Sequence, residues 1–361
     1  MTGTVLSGTV LSGTGGVWRV LGDDGEVREA SLRGRLKKSG EGRRVDGSMR
    51  RDTIAAAERV LKLAVGDRVT LEADARAGGG EQGAWAIDDI LPRRGKLARR
   101  VPGGGYGERI VAANVDQVVV VFAAARPEPH PRMLDRFLLV AEANALAARV
   151  VINKCELVGD GNAERGAAVV RVRFAAYEAA GYTLHTTSVA TGAGLALLRD
   201  ALVGRTSALT GPSGVGKSSL MNALFPGLDL RVGEISESVN KGRHTTVGAL
   251  LYPLPPAAGE PSGGDPAASG VTGAAARGFV VDTPGLREVG LWGLPADRLD
   301  ACFPEFRPYL GECRFANCAH DTEPECAVRS AVATGQVSSE RYESYRKLRQ
   351  EAVAGTPPEW A

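Results

Sequence analysis

The sequence predicts a multidomain chain with three architectures in series: a small N-terminal β-barrel, a central α/β domain on a parallel sheet, and a mainly α C-terminal unit. Three observations carry this prediction. Short alternating apolar stretches divided by Gly, Asp and basic residues run from Val17 to Leu91; continuous apolar runs alternate with helical patterns from Ala113; and four of the five cysteines lie in the last third of the 361 residues. The expected boundaries are 1–98, 99–293 and 294–361.

The barrel strands are read from VWRVL, VGDRVTLEA and AWAIDDIL, whose alternation suits a half-buried sheet, and a five-stranded oligonucleotide-binding barrel (OB-fold) is the natural candidate. Residues 3–12 repeat one pentapeptide, GTVLSGTVLS. Two copies are far too few for a solenoid, so the repeat is taken as an extension or a first strand without functional meaning.

From Ala113 the texture changes. DQVVVVFAA is the continuous apolar run of a central parallel strand, and MLDRFLLVAEANALAA carries Leu134, Phe137, Leu138 and Ala141 on one helical face. The strand RVVIN, a helix through RFAAYEAAG ended by Gly181, the strand YTLHTTS and a helix through LALLRDALVG complete a βαβ succession. In such sheets ligands sit beyond the carboxyl ends of the strands, where INKCEL and TSVATG fall.

Composition bounds the rest. With 43% hydrophobic and 24% charged residues the chain is an ordinary globular protein with a sizeable core. The longest apolar run, Val118 to Ala125, has eight residues, far short of the roughly twenty that cross a bilayer, so no membrane is expected. An odd number of cysteines and no secretion signal at the N-terminus fit a reducing cytoplasm. The net charge of only +2 means that a nucleic-acid partner would need clustered basic residues. Two clusters exist: Arg33 to Arg51, with eight Lys or Arg against two acids, and PRRGKLARR from Pro92 to Arg100. Taken alone, such runs read as solvated loops.

The chemistry begins at TSALTGPSGVGKSSLMNALF. Its core, Gly211, Pro212, Ser213, Gly214, Val215, Gly216, Lys217 and Ser218, followed by Ser219, satisfies G-x-x-x-x-G-K-[ST] between a strand and a helix. Glycines let the backbone turn its N–H groups onto phosphates, and the helix adds its positive end. Lys217 would reach the β and γ phosphates and Ser218 would ligate Mg²⁺. Farther on, GFVVDTPG offers Asp282 to the metal and the Gly285 N–H to the γ phosphate. NKGRHTTVGALL between them offers Thr245 or Thr246 to the metal shell. These are the three phosphate-sensing elements of a GTPase, with two switches that order around Mg²⁺.

Base choice lies upstream, in VINKCELV. Asn153, Lys154 and Glu156 match a guanine-reading Asn-Lys-x-Asp loop with Glu for Asp, and Ser188, Val189 and Ala190 match the Ser-Ala segment that caps the base, with Val in place of Ala. The order is therefore base loops first and phosphate loop afterwards. A circular permutation produces it, and compact domains with neighbouring termini tolerate one.

These residues and their flanks (VGDRV, NVDQVVVVFAA, LDRFLLVAEAN, GPSGVGKSSLMNAL, GRHTT, VVDTPGLRE and the cysteine cluster) resemble the RsgA, or YjeQ, family of circularly permuted GTPases that serve small-ribosomal-subunit biogenesis. The resemblance covers nearly the whole chain. Departures are Glu156, Pro212 and a Gly, Ala, Pro and Ser-rich insertion from Pro255 to Arg277, read as a flexible loop. It implies a barrel, a permuted GTPase core and a zinc domain in one monomer that binds GTP, GDP and Mg²⁺ and hydrolyses GTP with stimulation by the small (30S) subunit. Small-subunit rRNA is the implied partner.

The zinc domain is also legible independently. Cys313, Cys318, His320 and Cys326 form C-x4-C-x-H-x5-C within fourteen residues, a full tetrahedral set for one structural Zn²⁺. Cys155 and Cys302 are read as core thiols. In the C-terminal helix SSERYESYRKLRQEAV, Arg341, Arg346, Lys347 and Arg349 read alone as a solvated face; given the resemblance, some of them are expected on rRNA. Leu286 stands where Ras-like enzymes place the Gln that orients water, so His244 is either the residue that positions the water or an anchor of the switch. Two rivals remain: an RNA-binding assembly module with a relic nucleotide site, and a permuted GTPase of the large subunit.

Overall fold

The computed structural model describes residues 5–33, 63–73, 85–100, 108–228, 230, 249–254, 278–282 and 295–354. Strands β1 (Leu6–Thr14), β2 (Val17–Gly22), β3 (Val27–Leu32), β4 (Arg68–Ala73) and β5 (Trp85–Ile90) close a barrel in the order β1-β2-β3-β5-β4. Only β3 and β5 run parallel. This is the five-stranded architecture expected of an OB-fold. Val10, Val20, Ala30, Val69, Leu71 and Ile87 fill its interior. Residues 6–12 of the repeated segment lie in β1, which pairs with β2 on one side and β4 on the other, and so closes the barrel.

A hairpin of β6 (Lys96–Arg100) and β7 (Glu108–Ala113) comes next. The boundary expected between residues 98 and 99 falls inside β6. The barrel is bolted to the end of this hairpin by backbone and amide bonds: the Ala113 N–H donates to the Val65 carbonyl (2.8 Å) and Asn114 Nδ2 to the Gly66 carbonyl (2.9 Å). Gly66 has φ +87°, and a Cβ there would lie 2.2 Å from the Ala113 carbonyl oxygen, so only glycine permits this approach. Arg93, from the second basic run, is paired with fully buried Asp67 at 2.6 Å. That arginine belongs to the joint.

The central sheet has six strands, ordered β10 (Thr183–Thr186), β9 (Ala147–Asn153), β8 (Gln117–Ala123), β11 (Thr206–Thr210), β13 (Phe279–Asp282) and β12 (Leu250–Pro253). All pairs are parallel except β12 with β13. Every residue of β8 is buried, as a strand covered on both faces requires. Helix α1 (Pro131–Ala143) starts on a proline whose fixed φ suits the first turn, and it lays Leu134, Phe137, Leu138 and Ala141 on the sheet. Helices α2 (Ala163–Arg173) and α3 (Ala175–Ala179) share the segment in which a single helix through RFAAYEAAG is expected. Asn162 caps α2, accepting from the Arg165 N–H at 2.8 Å. Helix α4 (Leu195–Leu202) packs beside α5 (Lys217–Leu224).

The C-terminal unit holds 3-10 turns at Ala296–Arg298, Asp300–Cys302 and Pro304–Tyr309, then α6 (Ala327–Ala333) and α7 (Ser339–Ala354). Phe303, Phe306 and Tyr345 form its centre, with ring centroids 5.0–5.4 Å apart. Helix α1 carries three ion pairs into it: Asp135 with Arg341, Arg136 with Glu351, and Glu142 with Arg307.

Candidate functional site

Strand β11 delivers the chain to Gly211 between β8 and β13. Gly211 takes φ +137°, and a Cβ there would sit 2.0 Å from the Val121 carbonyl oxygen; Gly214 and Gly216 take φ +76° and +92°. The glycines are thus required by backbone geometry. Helix α5 begins at Lys217, which is buried with Ser218. Lys217 Nζ donates to the carbonyls of Gly211 (2.8 Å) and Pro212 (2.6 Å), so the ammonium lies inside the loop it is expected to serve.

The upstream base loop meets this loop in space. Asn153, buried at the end of β9, donates from Nδ2 to the Val215 carbonyl at 3.1 Å, bridging 62 positions of sequence. Its Oδ1 accepts from the Thr187 hydroxyl at 3.2 Å. Lys154, with φ +60°, donates from Nζ to the carbonyls of Gly214 (2.7 Å) and Arg126 (2.6 Å). A Cβ on Gly216 would come within 2.7 Å of Asn153 Nδ2. The permuted order is therefore repaired by contact: the two loops form one rim.

Glu156 sits in the 3-10 turn Cys155–Val158 that this rim leads into. Its Oε2 is buried and has no hydrogen-bond partner among the described residues. An acceptor so placed suits a base edge that offers N–H groups. Beside it, the Cys155 N–H donates to the Thr187 carbonyl at 3.1 Å, and Ser188 is buried with its hydroxyl accepting from the Thr191 N–H at 3.2 Å. Val189 is half-buried and Ala190 exposed. Thr187, which fixes Asn153 and Cys155 together, does not stand out in the sequence; only its place beside Ser188 hints at the role.

Asp282 ends β13, buried, in register with Leu209, two residues before Gly211 opens the phosphate loop. The structure thus brings Asn153, Lys154, Glu156, Ser188, Lys217, Ser218 and Asp282 to the carboxyl ends of neighbouring strands. His244, Thr245, Thr246 and Gly285 lie outside the described residues, as do residues 34–51 of the first basic run and the insertion from Pro255 to Arg277.

The cysteine cluster assembles at the base of the C-terminal unit. One donor atom from each of Cys313, Cys318, His320 and Cys326 lies within 4.8 Å of the others. His320 turns Nδ1 toward the sulfurs of Cys326 (3.3 Å) and Cys313 (3.5 Å), while Nε2 faces Asp300 Oδ2 at 3.4 Å. A carboxylate behind a histidine fixes its ring orientation and tautomer for ligation. The Arg329 N–H points at Cys326 Sγ from 3.5 Å. Three sulfurs, one imidazole and an outer carboxylate fit a structural zinc ion. Asp300 is the partner that the sequence motif does not reveal. The other two cysteines are buried core thiols, and burial pushes Cys155 and Cys302 up to about 11.

Helix α7 corrects one expectation. Arg341 is 3% exposed, bound to Asp135 and, through Nε and a terminal nitrogen, to both Glu305 oxygens at 2.7 and 3.2 Å. It packs under Phe303 and Tyr177, at 4.7 and 5.0 Å from the ring centroids. It cannot reach RNA. Arg346 and Lys347 are half-exposed and paired with Asp321 (2.6 Å) and Glu343 (3.1 Å).

The chain is similar to known proteins along nearly its whole length. The RsgA GTPase family matches residues 90–259. A small ribosomal subunit biogenesis GTPase RsgA from Gemmatimonas aurantiaca is 57% identical over 97% of this chain and 98% of its own. The protein of that name from Pseudomonas aeruginosa is 41% identical over 79% of this chain and 75% of its own. The crystal structure of YjeQ from Thermotoga maritima superposes with a TM-score of 0.67 at 30% identity, covering 97% of this chain and 99% of that one. YloQ, a circularly permuted GTPase, shares the fold with a TM-score of 0.65 at 23% identity, covering 98% and 97%. The chain belongs to the RsgA GTPase family.

Proposed function

We propose that the chain hydrolyses GTP to GDP and phosphate on the small ribosomal subunit, assists late maturation of that subunit, and leaves after hydrolysis. The observation that carries this is the hydrogen bonding of Asn153 and Lys154 into the phosphate loop, which makes one nucleotide site of two sequence blocks in reversed order. An intact site of this kind disfavours the relic reading. The names of the relatives favour the small subunit over the large one.

In this reading the backbone N–H groups of Gly214 to Ser218 hold the phosphates, and Lys217 exchanges its loop carbonyls for β and γ oxygens. Ser218, Asp282 and a hydroxyl from Thr245 or Thr246 would hold Mg²⁺, which neutralises charge developing on the phosphate oxygens. Gly285 would donate its N–H to the γ phosphate. Glu156 accepts from the guanine edge, the Lys154 stem covers the ring, and Ser188, Val189 and Ala190 close its O6 side. Zn²⁺ held by Cys313, Cys318, His320 and Cys326 keeps the C-terminal unit folded. The protein acts as a soluble monomer in the cytoplasm, with rRNA as its contact.

Sedimentation with separated subunits tests the partner. Co-migration with small subunits under a non-hydrolysable GTP analogue, weakened under GDP, is expected; co-migration with large subunits alone would refute it. Base choice follows from Glu156. GTP should bind roughly tenfold to a hundredfold more tightly than ATP or XTP, the worth of one bidentate carboxylate pair. Glu156→Asp should equal or sharpen that preference. Equal affinity for all three nucleotides in competition binding would remove guanine selectivity from the account. For His244, alanine substitution should lower subunit-stimulated turnover about a hundredfold with nucleotide binding intact; unchanged turnover would leave it as an anchor of the switch.

A further inference from the structure

Among the described residues of the C-terminal unit, one aromatic ring stands out as exposed. Phe303, Phe306 and Tyr345 are buried against one another, yet Phe315 is 42% exposed. It lies in the loop between Cys313 and Cys318, where Arg314, Phe315, Ala316 and Asn317 are all exposed while the flanking cysteines are drawn inward. The loop is not free to fold the ring away. The Cys318 N–H donates to the Phe315 carbonyl at 3.2 Å and the Arg314 N–H to the Glu325 carbonyl at 3.2 Å, which fixes both ends of the turn. Leaving that share of the ring in water forgoes about 1 kcal/mol of burial.

Its neighbours define the ligand that suits it. The Arg314 guanidinium lies 5.7 Å from the Phe315 ring centroid, and Asn317 adds an amide that can donate and accept. An exposed ring with a cation at its side and an amide on the same turn is the equipment for an unstacked base: a face to stack on, a charge for the phosphate, a polar group for the base edge. The charge is held in reserve by Glu325, whose carboxylate meets Arg314; both side chains are well exposed, at 67% and 58%. An exposed pair of this kind is weak and can exchange for phosphate.

We propose that the Arg314–Asn317 loop is a single-stranded RNA contact in which Phe315 stacks on an unpaired base and Arg314 leaves Glu325 for the adjoining phosphate. The assignment rests on the small subunit being the partner, and it places an RNA contact of this unit on the loop, where the buried Arg341 of helix α7 supplies none.

The test uses full-length, zinc-loaded protein and purified small ribosomal subunits. Phe315→Ala should weaken subunit binding on the order of tenfold, the loss expected for one base–aromatic stack, and Phe315→Trp should restore it. Glu325→Gln, by freeing Arg314, should tighten binding and steepen its salt dependence, an effect that misfolding does not produce. Zinc content and melting temperature should match wild type throughout. A benzophenone side chain at position 315 should cross-link to rRNA. Unchanged binding by Phe315→Ala while wild type binds, or cross-links confined to ribosomal proteins, would overturn the loop assignment alone. Subunits that fail to bind wild type would overturn the reading of function, and the loop assignment with it.

Discussion

Lys217→Ala should lower GTP turnover while leaving the fold intact, with a fall in kcat of about 10²–10³-fold, the scale seen when one charge-stabilising donor is removed from an active site. Lys217 is buried at the start of α5, and its ammonium donates to the carbonyls of its own loop, Gly211 and Pro212. Those bonds hold the ammonium where phosphate oxygens are expected. Removing them does not empty a hydrophobic core, so the melting temperature should move little. The measurement pairs phosphate release with nucleotide affinity. Retained turnover in the Lys217→Ala variant would mean that the phosphate loop is not the reaction site.

Arg341→Ala carries the largest expected loss of stability. Burial alone disfavours the Arg341 charge, but Asp135 and Glu305 hold its pKa above the ordinary value. Truncation strands the Asp135 carboxylate in the joint between α1 and the C-terminal unit, and breaking a buried pair from one side costs about 3–5 kcal/mol. Replacing both partners by apolar residues of similar size should cost much less. Urea unfolding followed by tryptophan fluorescence checks this. The single variant should also lower the cooperativity of unfolding, because one of the three ion pairs that join the C-terminal unit to α1, the buried one, is lost. A change below about 1 kcal/mol, coupled with weaker subunit binding, would restore Arg341 to the surface role that its sequence context suggests.

The same residue shows where sequence reading ends. In SSERYESYRKLRQEAV, Arg341 stands among solvated charges, and nothing local distinguishes it from Arg346. Its burial is decided by Asp135, 206 positions away. The phosphate loop is legible because its constraint is local: glycines at positive φ, then Lys and Ser on a helix start. The zinc cluster is legible for a similar reason, four ligands close in sequence, whereas its outer carboxylate Asp300 comes from a separate turn. Asn153 and Lys154 stand out by type, but their clamp on Gly214 and Val215 is a tertiary fact. Helix α2 is obscure in the sequence because Val169 and Val172 on its exposed face blur the helical period, whereas the pentapeptide repeat leaves open an extension or a first strand, and pairing with β2 and β4 makes it the strand. Strand β6 hides inside a basic run, whose Arg93 serves the barrel joint.

The central claim is that base loop and phosphate loop, read out of order in the chain, form one GTPase site answering to the small ribosomal subunit. It is tested most directly by phosphate release from GTP with no subunits, with small subunits and with large subunits, with Lys217→Ala as the blank. The account predicts slow release alone, strong stimulation by small subunits and none by large ones. GTP that binds but is not hydrolysed faster with small subunits than without would contradict it.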